Sequence, residues 1–195
     1  MAGIQRDYVK AKKFYEESLP VFREIGDKQG IASSLSNLGN TVNLVGDYEQ
    51  AKKFIKESLA IFREIGDKYG VASSISNLGK AALSQRENEL AKKYLKECLD
   101  IQLEIGDKNG IADSLNYMGN IAFSMADFKK AVILMTAAEK EFESLGAVLG
   151  GNDQKIKDQN IAKIIEEISE EDFEKYSEEG MKMTVEEAVH LALNS

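Results

Sequence analysis

Three copies of Glu-Ile-Gly-Asp-Lys stand at Glu24–Lys28, Glu64–Lys68 and Glu104–Lys108, each 40 residues from the last. The flanking sequence repeats with them. Ile31-Ala-Ser-Ser-Leu-Ser-Asn-Leu-Gly39 returns as Val71-Ala-Ser-Ser-Ile-Ser-Asn-Leu-Gly79 and again as Ile111-Ala-Asp-Ser-Leu-Asn-Tyr-Met-Gly119. A fixed period of this size denotes one supersecondary unit stacked on copies of itself, because a single unit cannot bury its apolar face alone. Such arrays bind along extended surfaces and do not enclose catalytic pockets. The expectation is a scaffold.

Each period contains two helical patterns. Ile31, Leu35, Leu38 and Val42 recur at i, i+4, i+7 and i+11, one apolar stripe of a helix (helix A). Asp27 is placed to cap its start, and Gly46 to end it. Asp47 then opens a second helix (helix B), with Tyr48, Ala51, Phe54, Ile55, Leu59 and Phe62 on its stripe and a stop at Gly66. Connections this short force antiparallel pairs. The predicted organisation is a half-repeat at 1–26, repeats at 27–66, 67–106 and 107–145, and an acidic helical cap at 146–195. Helix A of the repeat at 67–106 should run from Lys68 to Gln85.

Composition agrees. One proline, no tryptophan and abundant Ala, Leu, Lys and Glu suit an all-helical chain. A single cysteine excludes a disulfide framework and suits a reducing compartment. No apolar run approaches the roughly 20 residues that span a bilayer, and Met1–Asp7 lacks a signal-peptide core. A soluble cytoplasmic protein is expected, with no membrane partner. Residues 1–151 carry 20 Lys/Arg against 21 Asp/Glu, and residues 152–195 carry 5 against 12. Nowhere is there the basic excess that phosphate neutralisation requires, so nucleic acid is not an expected partner.

Small residues recur where helices approach closely: Gly39, Gly79 and Gly119 in helix A, and Ala11, Ala51, Ala91 and Ala131 in helix B. With Leu35/Leu38, Gly46, Tyr48, Ile55 and Ser58 in phase, the pattern resembles the tetratricopeptide repeat. The 40-residue form, with Ser-Asn-Leu-Gly-Asn in helix A and Gly-Asp-Lys between repeats, is similar to repeats of Pins-type adaptors, kinesin light chains and prokaryotic regulatory proteins. The resemblance covers residues 1 to about 145 and implies an all-α, α-α superhelix of about three and a half repeats. Two turns depart from it: Arg86-Glu-Asn88 stands where Gly46-Asp-Tyr48 would, and Ala126 replaces a turn glycine.

Tyr8–Arg23 aligns with helix B, with only a few residues before it. The expectation is a C-terminal piece of a longer protein. Tyr8, Phe14 or Tyr15, and Leu19 should then present apolar surface and support weak self-association. In the tail, Ile156, Ile161, Ile164, Ile165 and Ile168 suggest a helix in the place of a fifth helix A. Capping signals at Ser169 and Thr184 open two shorter helices, separated by Gly180. Gly180–Leu193 resembles the C-terminus of large signal-transduction ATPases. That implies an alternative role: the ligand-sensing or regulatory end of such a protein.

Little here could do chemistry. Phosphate-cradling glycine loops are absent, and Gly26-Asp-Lys-Gln-Gly30 is turn chemistry because it recurs at helix junctions. The sole histidine, His190, excludes a His-based zinc cluster and sits on the last short helix. Cys98 occupies the register of Ser18, Ser58 and Ala138, a small packing slot. Lys12/Lys13, Lys52/Lys53 and Lys92/Lys93 recur on helix B with Glu16, Glu17, Glu57 and Glu97 one turn on, a charge-balanced outer face. No catalytic residue, metal or cofactor is expected, and the chain is read as a non-enzyme.

The informative polar stripe lies on helix A. Ser33, Asn37 and Asn40 are spaced i, i+4, i+7, away from Leu35/Leu38; their counterparts are Ser73, Asn77 and Lys80, then Asp113, Tyr117 and Asn120, with Asn116 alongside. Mid-helix asparagine is a poor helix former and calls for a reason. Its carboxamide both donates and accepts, so a row of them suits the backbone amides of an extended peptide. The resemblance implies that this face lines a concave groove. A protein or extended peptide is the expected partner, and the acidic tail is a second candidate occupant of the groove.

Overall fold

The computed structural model describes the backbone from residue 2 to residue 194 and side chains from residue 8 to residue 194. The reading of Met1–Asp7 rests on side chains outside the described residues. Ten helices and no strand occur among those residues: α1 (Ala2–Ile25), α2 (Lys28–Leu44), α3 (Tyr48–Ile65), α4 (Lys68–Ser84), α5 (Asn88–Ile105), α6 (Lys108–Ser124), α7 (Phe128–Ser144), α8 (Gly151–Glu167), α9 (Glu170–Lys182) and α10 (Val185–Leu193). The all-α class is as expected, with seven helices through residue 145 and three beyond. Helix A of the third period ends at Ser84 with Gln85 as its cap.

The junctions explain the helix bounds. Asp27, Asp67 and Asp107 each accept the backbone N–H three residues on, at 3.0, 3.0 and 2.9 Å, which satisfies one otherwise orphaned donor. Gly26, Gly66, Gly106 and Gly146 take positive φ, which ends the preceding helix in a left-handed cap. At the two departures the backbone keeps that conformation without glycine: Arg86 has φ 60° and Ala126 φ 61°. The turn therefore survives at a steric cost.

The chain divides into two compact units, Met1–Tyr94 and Leu95–Ser195. In the first, α2 packs on α1 and α3, and α3 on α4. A Cβ on Gly39 would lie 2.5 Å from Ile55 Cγ1 and 3.2 Å from the Ala51 carbonyl oxygen, so the small-residue reading of that pair holds. Leu35, Leu38, Val42, Ile55 and Ile75 are among the unit's fully buried side chains. Ser58 Oγ donates to the Ala32 carbonyl at 2.7 Å and lies 3.3 Å from Ser74 Oγ; Ser18 and Ser34 form the same contact at 3.5 Å. Cys98 fills that slot in the second unit, fully buried, with Ser114 Oγ 3.8 Å away. Packing is the role the structure gives it.

Leu19 differs from expectation. It is buried, because α2 covers that stretch of α1. Phe14 is 65 % exposed, as expected, and is accompanied by Val9, Val21 and Ile25. The paired lysines find acidic neighbours: Lys12–Glu16 at 3.8 Å, Lys13–Glu17 at 3.6 Å and Lys52–Glu87 at 3.3 Å. No helix among the described residues is long and apolar enough to cross a membrane.

In the second unit α6 pairs with α7, and Gly119 lets them close: its Cβ would lie 2.7 Å from Met135 Cγ. The tail departs from the repeat. α8 does not take the place of a fifth helix A; α9 packs along α7 instead, and α8 lies against both α6 and α7. Gly180 does not separate two helices either, since it is inside α9, where a Cβ would come within 2.5 Å of the Ile133 carbonyl oxygen. The glycine permits backbone-to-backbone approach, and the helix break falls at Met183. Beyond it, Thr184 and Glu187 form a reciprocal capping box that starts α10. Lys140 Nζ donates to the Met183 carbonyl at 2.6 Å, and Lys96 Nζ donates to the Leu193 carbonyl at the end of α10.

Candidate functional site

The helix A positions singled out from the sequence divide between the two units. In the first, α2 presents Ser33, Asn37 and Asn40, and α4 presents Ser73, Asn77 and Lys80. Asn37 and Ser73 are exposed; Ser33, Asn40, Asn77 and Lys80 are half-buried. Asn77 Nδ2 donates to Ser36 Oγ at 3.2 Å and so ties α4 to α2. One of the asparagines is thus a strut between successive A helices, while Asn37 stays open to solvent.

In the second unit the corresponding face of α6 is covered. Tyr117 and Asn120 are buried and Asp113 is half-buried. Tyr117 Oη donates to the Asp153 carboxylate of α8, and Asn160 Nδ2 of α8 donates to Asn120 Oδ1 at 2.8 Å. Burial first, and then the Asp153 charge, push the Tyr117 hydroxyl far above its ordinary pKa, so it remains a proton donor. α8 is anchored further along by Ile164, fully buried among Ala122, Ala131 and Val132, with Phe173 and Tyr176 of α9 packed on the cluster. A segment of the chain itself lies on the polar stripe of α6.

The sequence reading placed Asn116 beside the binding stripe and did not single out Lys157; both are buried here. Asn116 is 1 % exposed, and neither Oδ1 nor Nδ2 has a hydrogen-bond partner among the described residues. Lys157 is 4 % exposed, with its ammonium 2.8 Å from the Glu139 carboxylate of α7. Register could have hinted at the first: the equivalent residues are Ser36 and Ser76, so a bulkier amide at that point is out of pattern. Nothing local marks Lys157 as buried, because its neighbours on α7 are distant in sequence.

His190 is exposed on α10. Among the described residues no group of His, Cys, Asp and Glu side chains is arranged to hold a metal ion.

Comparison with known proteins follows the same lines. Residues 2–64 match the tetratricopeptide repeat family, and residues 71–105 match it again, together half of the chain. The chain belongs to the tetratricopeptide repeat family. Repeats of this family are generally protein-interaction scaffolds. The fold is similar to the crystal structure of BtubC (BKLC) from P. vanneervenii, with a TM-score of 0.63 over 97% of this chain and 73% of that one, at 20% identity. At that identity the likeness concerns the fold. No curated protein matches the sequence.

Proposed function

We propose that this tetratricopeptide repeat protein is a cytoplasmic, non-catalytic scaffold that binds an extended peptide or protein segment along the polar stripe of its A helices. The observation that supports this most directly is the seating of α8. Asp153 and Asn160 pair with Tyr117 and Asn120, so side chains at stripe positions already engage a polypeptide segment through hydrogen bonds. The equivalent positions in the first unit, Ser33, Asn37, Asn40, Ser73 and Lys80, are exposed or half-buried. They offer donors and acceptors side by side, the arrangement that reads backbone amides. On this reading α8 occupies the stripe of α6 intramolecularly and α2 and α4 take the partner.

The test is a peptide-display selection on the full chain, followed by affinity measurement for Asn37→Ala, Asn40→Ala and the combined Asn37→Ala/Asn40→Ala/Ser73→Ala variant. Each hydrogen bond to a peptide is worth about 0.5–1.5 kcal/mol, so single changes should weaken binding several-fold and the triple change on the order of 10- to 1000-fold. Selected peptides that bind the triple variant unchanged would remove the stripe from the function. Weak self-association through Val9, Phe14, Val21 and Ile25 is the second interaction we propose, carried by their exposure on one helix. A ligand-sensing role for the C-terminal region is favoured by one feature, a cavity beside α8.

A further inference from the structure

The seated face of α8 is made by four residues spaced i, i+4, i+7 and i+11, one side of a helix: Asp153, Lys157, Asn160 and Ile164. Each has its own counterpart in the repeat. Asp153 accepts from the Tyr117 hydroxyl, Lys157 pairs with the Glu139 carboxylate at 2.8 Å, and Asn160 donates to Asn120 at 2.8 Å. Ile164 enters the cluster of Ala122, Ala131 and Val132. Three of these four contacts are polar. That is the character of an interface that forms and separates, since permanent contacts are more apolar.

The hold on α8 is light in other respects. Only Lys157 and Ile164 of its 17 residues are buried, against eleven in α6 and nine in α7, helices of the same length. Gly150 gives its first turn no side-chain cap. A cavity of about 180 Å³ runs between Phe142 of α7 and Lys157 of α8, so the two helices are not close-packed there. The six residues Leu145–Gly150 that lead from α7 into α8 reach about 20 Å when extended, roughly twice the width of a helix. That length permits α8 to move off its seat, turning about Ile168 and Ser169, while α9 keeps its place on α7.

We propose that the face of α6 and α7 under α8 is a binding site for a helical segment of a partner protein, and that α8 is the occupant this segment displaces. The chemistry of the seat defines the partner. It is a helix carrying a carboxylate, a cation, a carboxamide and a branched aliphatic side chain at i, i+4, i+7 and i+11. Such a helix makes the same four contacts with Tyr117, Glu139, Asn120 and the Ala122–Ala131–Val132 cluster. The site lies within the second unit and takes a helix, so it stands independently of extended-segment binding at α2 and α4.

The probe is a synthetic peptide of residues Gly150–Ile168, standing in for the partner helix and titrated into the full chain by fluorescence anisotropy. In the unmodified chain the tethered α8 competes at an effective concentration on the order of millimolar, so the peptide binds weakly. Asp153→Ala/Asn160→Ala in the chain removes two hydrogen bonds from α8 and should tighten peptide binding about five- to hundredfold. The same two substitutions in the peptide should weaken binding to that loosened chain by a similar factor. Tyr117→Phe added to the loosened chain should weaken it about two- to tenfold. A helix that merely fills out the fold would give no gain in the first case. Hydrogen exchange on the unmodified chain needs no variant: amides of α8 should exchange through an opening that leaves α7 and α9 protected. The proposal is overturned if the loosened chain fails to bind the peptide by about 1 mM, or if the substitutions in chain and peptide do not act in opposite directions. Exchange of α8 only together with α7 and α9 would overturn it too, and that measurement decides the matter if the loosened chain does not fold.

Discussion

Gly180→Ala tests the placement of the tail. A Cβ at that position would sit 2.5 Å from the Ile133 carbonyl oxygen, 3.0 Å from Thr136 Cβ and 3.3 Å from the Ala137 nitrogen. Two of these three are backbone atoms of α7, which cannot rotate aside. Relief requires α9 to back away by about half an ångström to one ångström, a gap that forfeits a quarter to a half of the dispersion contacts it opens. The contacts at stake include Phe173 and Tyr176 on the Ala131–Val132–Ile164 cluster. Overpacking of this kind costs about 1–3 kcal/mol. Against it stands the helix-propensity gain of replacing glycine by alanine, about 0.5–1 kcal/mol. The clash should win by about 1–2 kcal/mol, a fall of roughly 2–8 °C in melting temperature for a chain of this size. Thermal and urea unfolding followed by circular dichroism at 222 nm measure it. Gly151→Ala is the control, since nothing lies within 4 Å of its Cβ and it should hold or raise stability. A Gly180→Ala chain at least as stable as the wild type would refute the close packing of α9 on α7, and with it the argument that α8 was displaced from that place.

The remaining expectations concern turns, pH and association. Ala126→Gly and Arg86→Gly should each stabilise by up to about 1 kcal/mol, because the left-handed penalty of about 1–2 kcal/mol outweighs glycine's extra unfolded-state entropy; loss of stability in urea unfolding would contradict this. Hydrogen bonds from Gln29 foremost, and then from the Gly70 N–H, hold the Asp67 carboxyl below its ordinary 3.8. A carboxyl lowered on folding contributes stability that is complete above its unfolded pKa and disappears as pH falls through the folded one. Gln29→Ala should therefore flatten the acid side of the stability profile below about pH 4, and an unchanged slope would count against the assignment. Phe14→Glu should shift sedimentation at high concentration toward the monomer; identical association in the variant would place the contact elsewhere.

Much of the repeat was legible because its determinants are local. The 3.6-residue apolar spacing, the aspartates that cap α2, α4 and α6, and the glycines after α3 and α5 all act within about one turn of the residue that carries them. Helix bounds consequently matched to within a residue or two. Legibility failed where a residue's role depends on what faces it. Gly180 reads as a breaker by propensity, yet it stands inside α9 because the α7 backbone is next to it. Leu19 reads as an uncovered stripe residue until α2 is placed over it. The polar stripe was visible as spacing, but its division into exposed Asn37, the strut Asn77 and the covered Tyr117 and Asn120 was not.

The amino-acid sequence alone determined the repeat, the all-helical class, the antiparallel pairing and the family, since each follows from periodicity and from caps and turns closed by neighbouring residues. Tertiary structure alone decided which tail helix lies on α7. Amphipathic helices of similar length compete for the same surface, and the choice goes to the one whose side chains, or lack of them at Gly180, allow the closest approach. From that choice follow the seat of α8 on α6 and the buried Lys157–Glu139 pair.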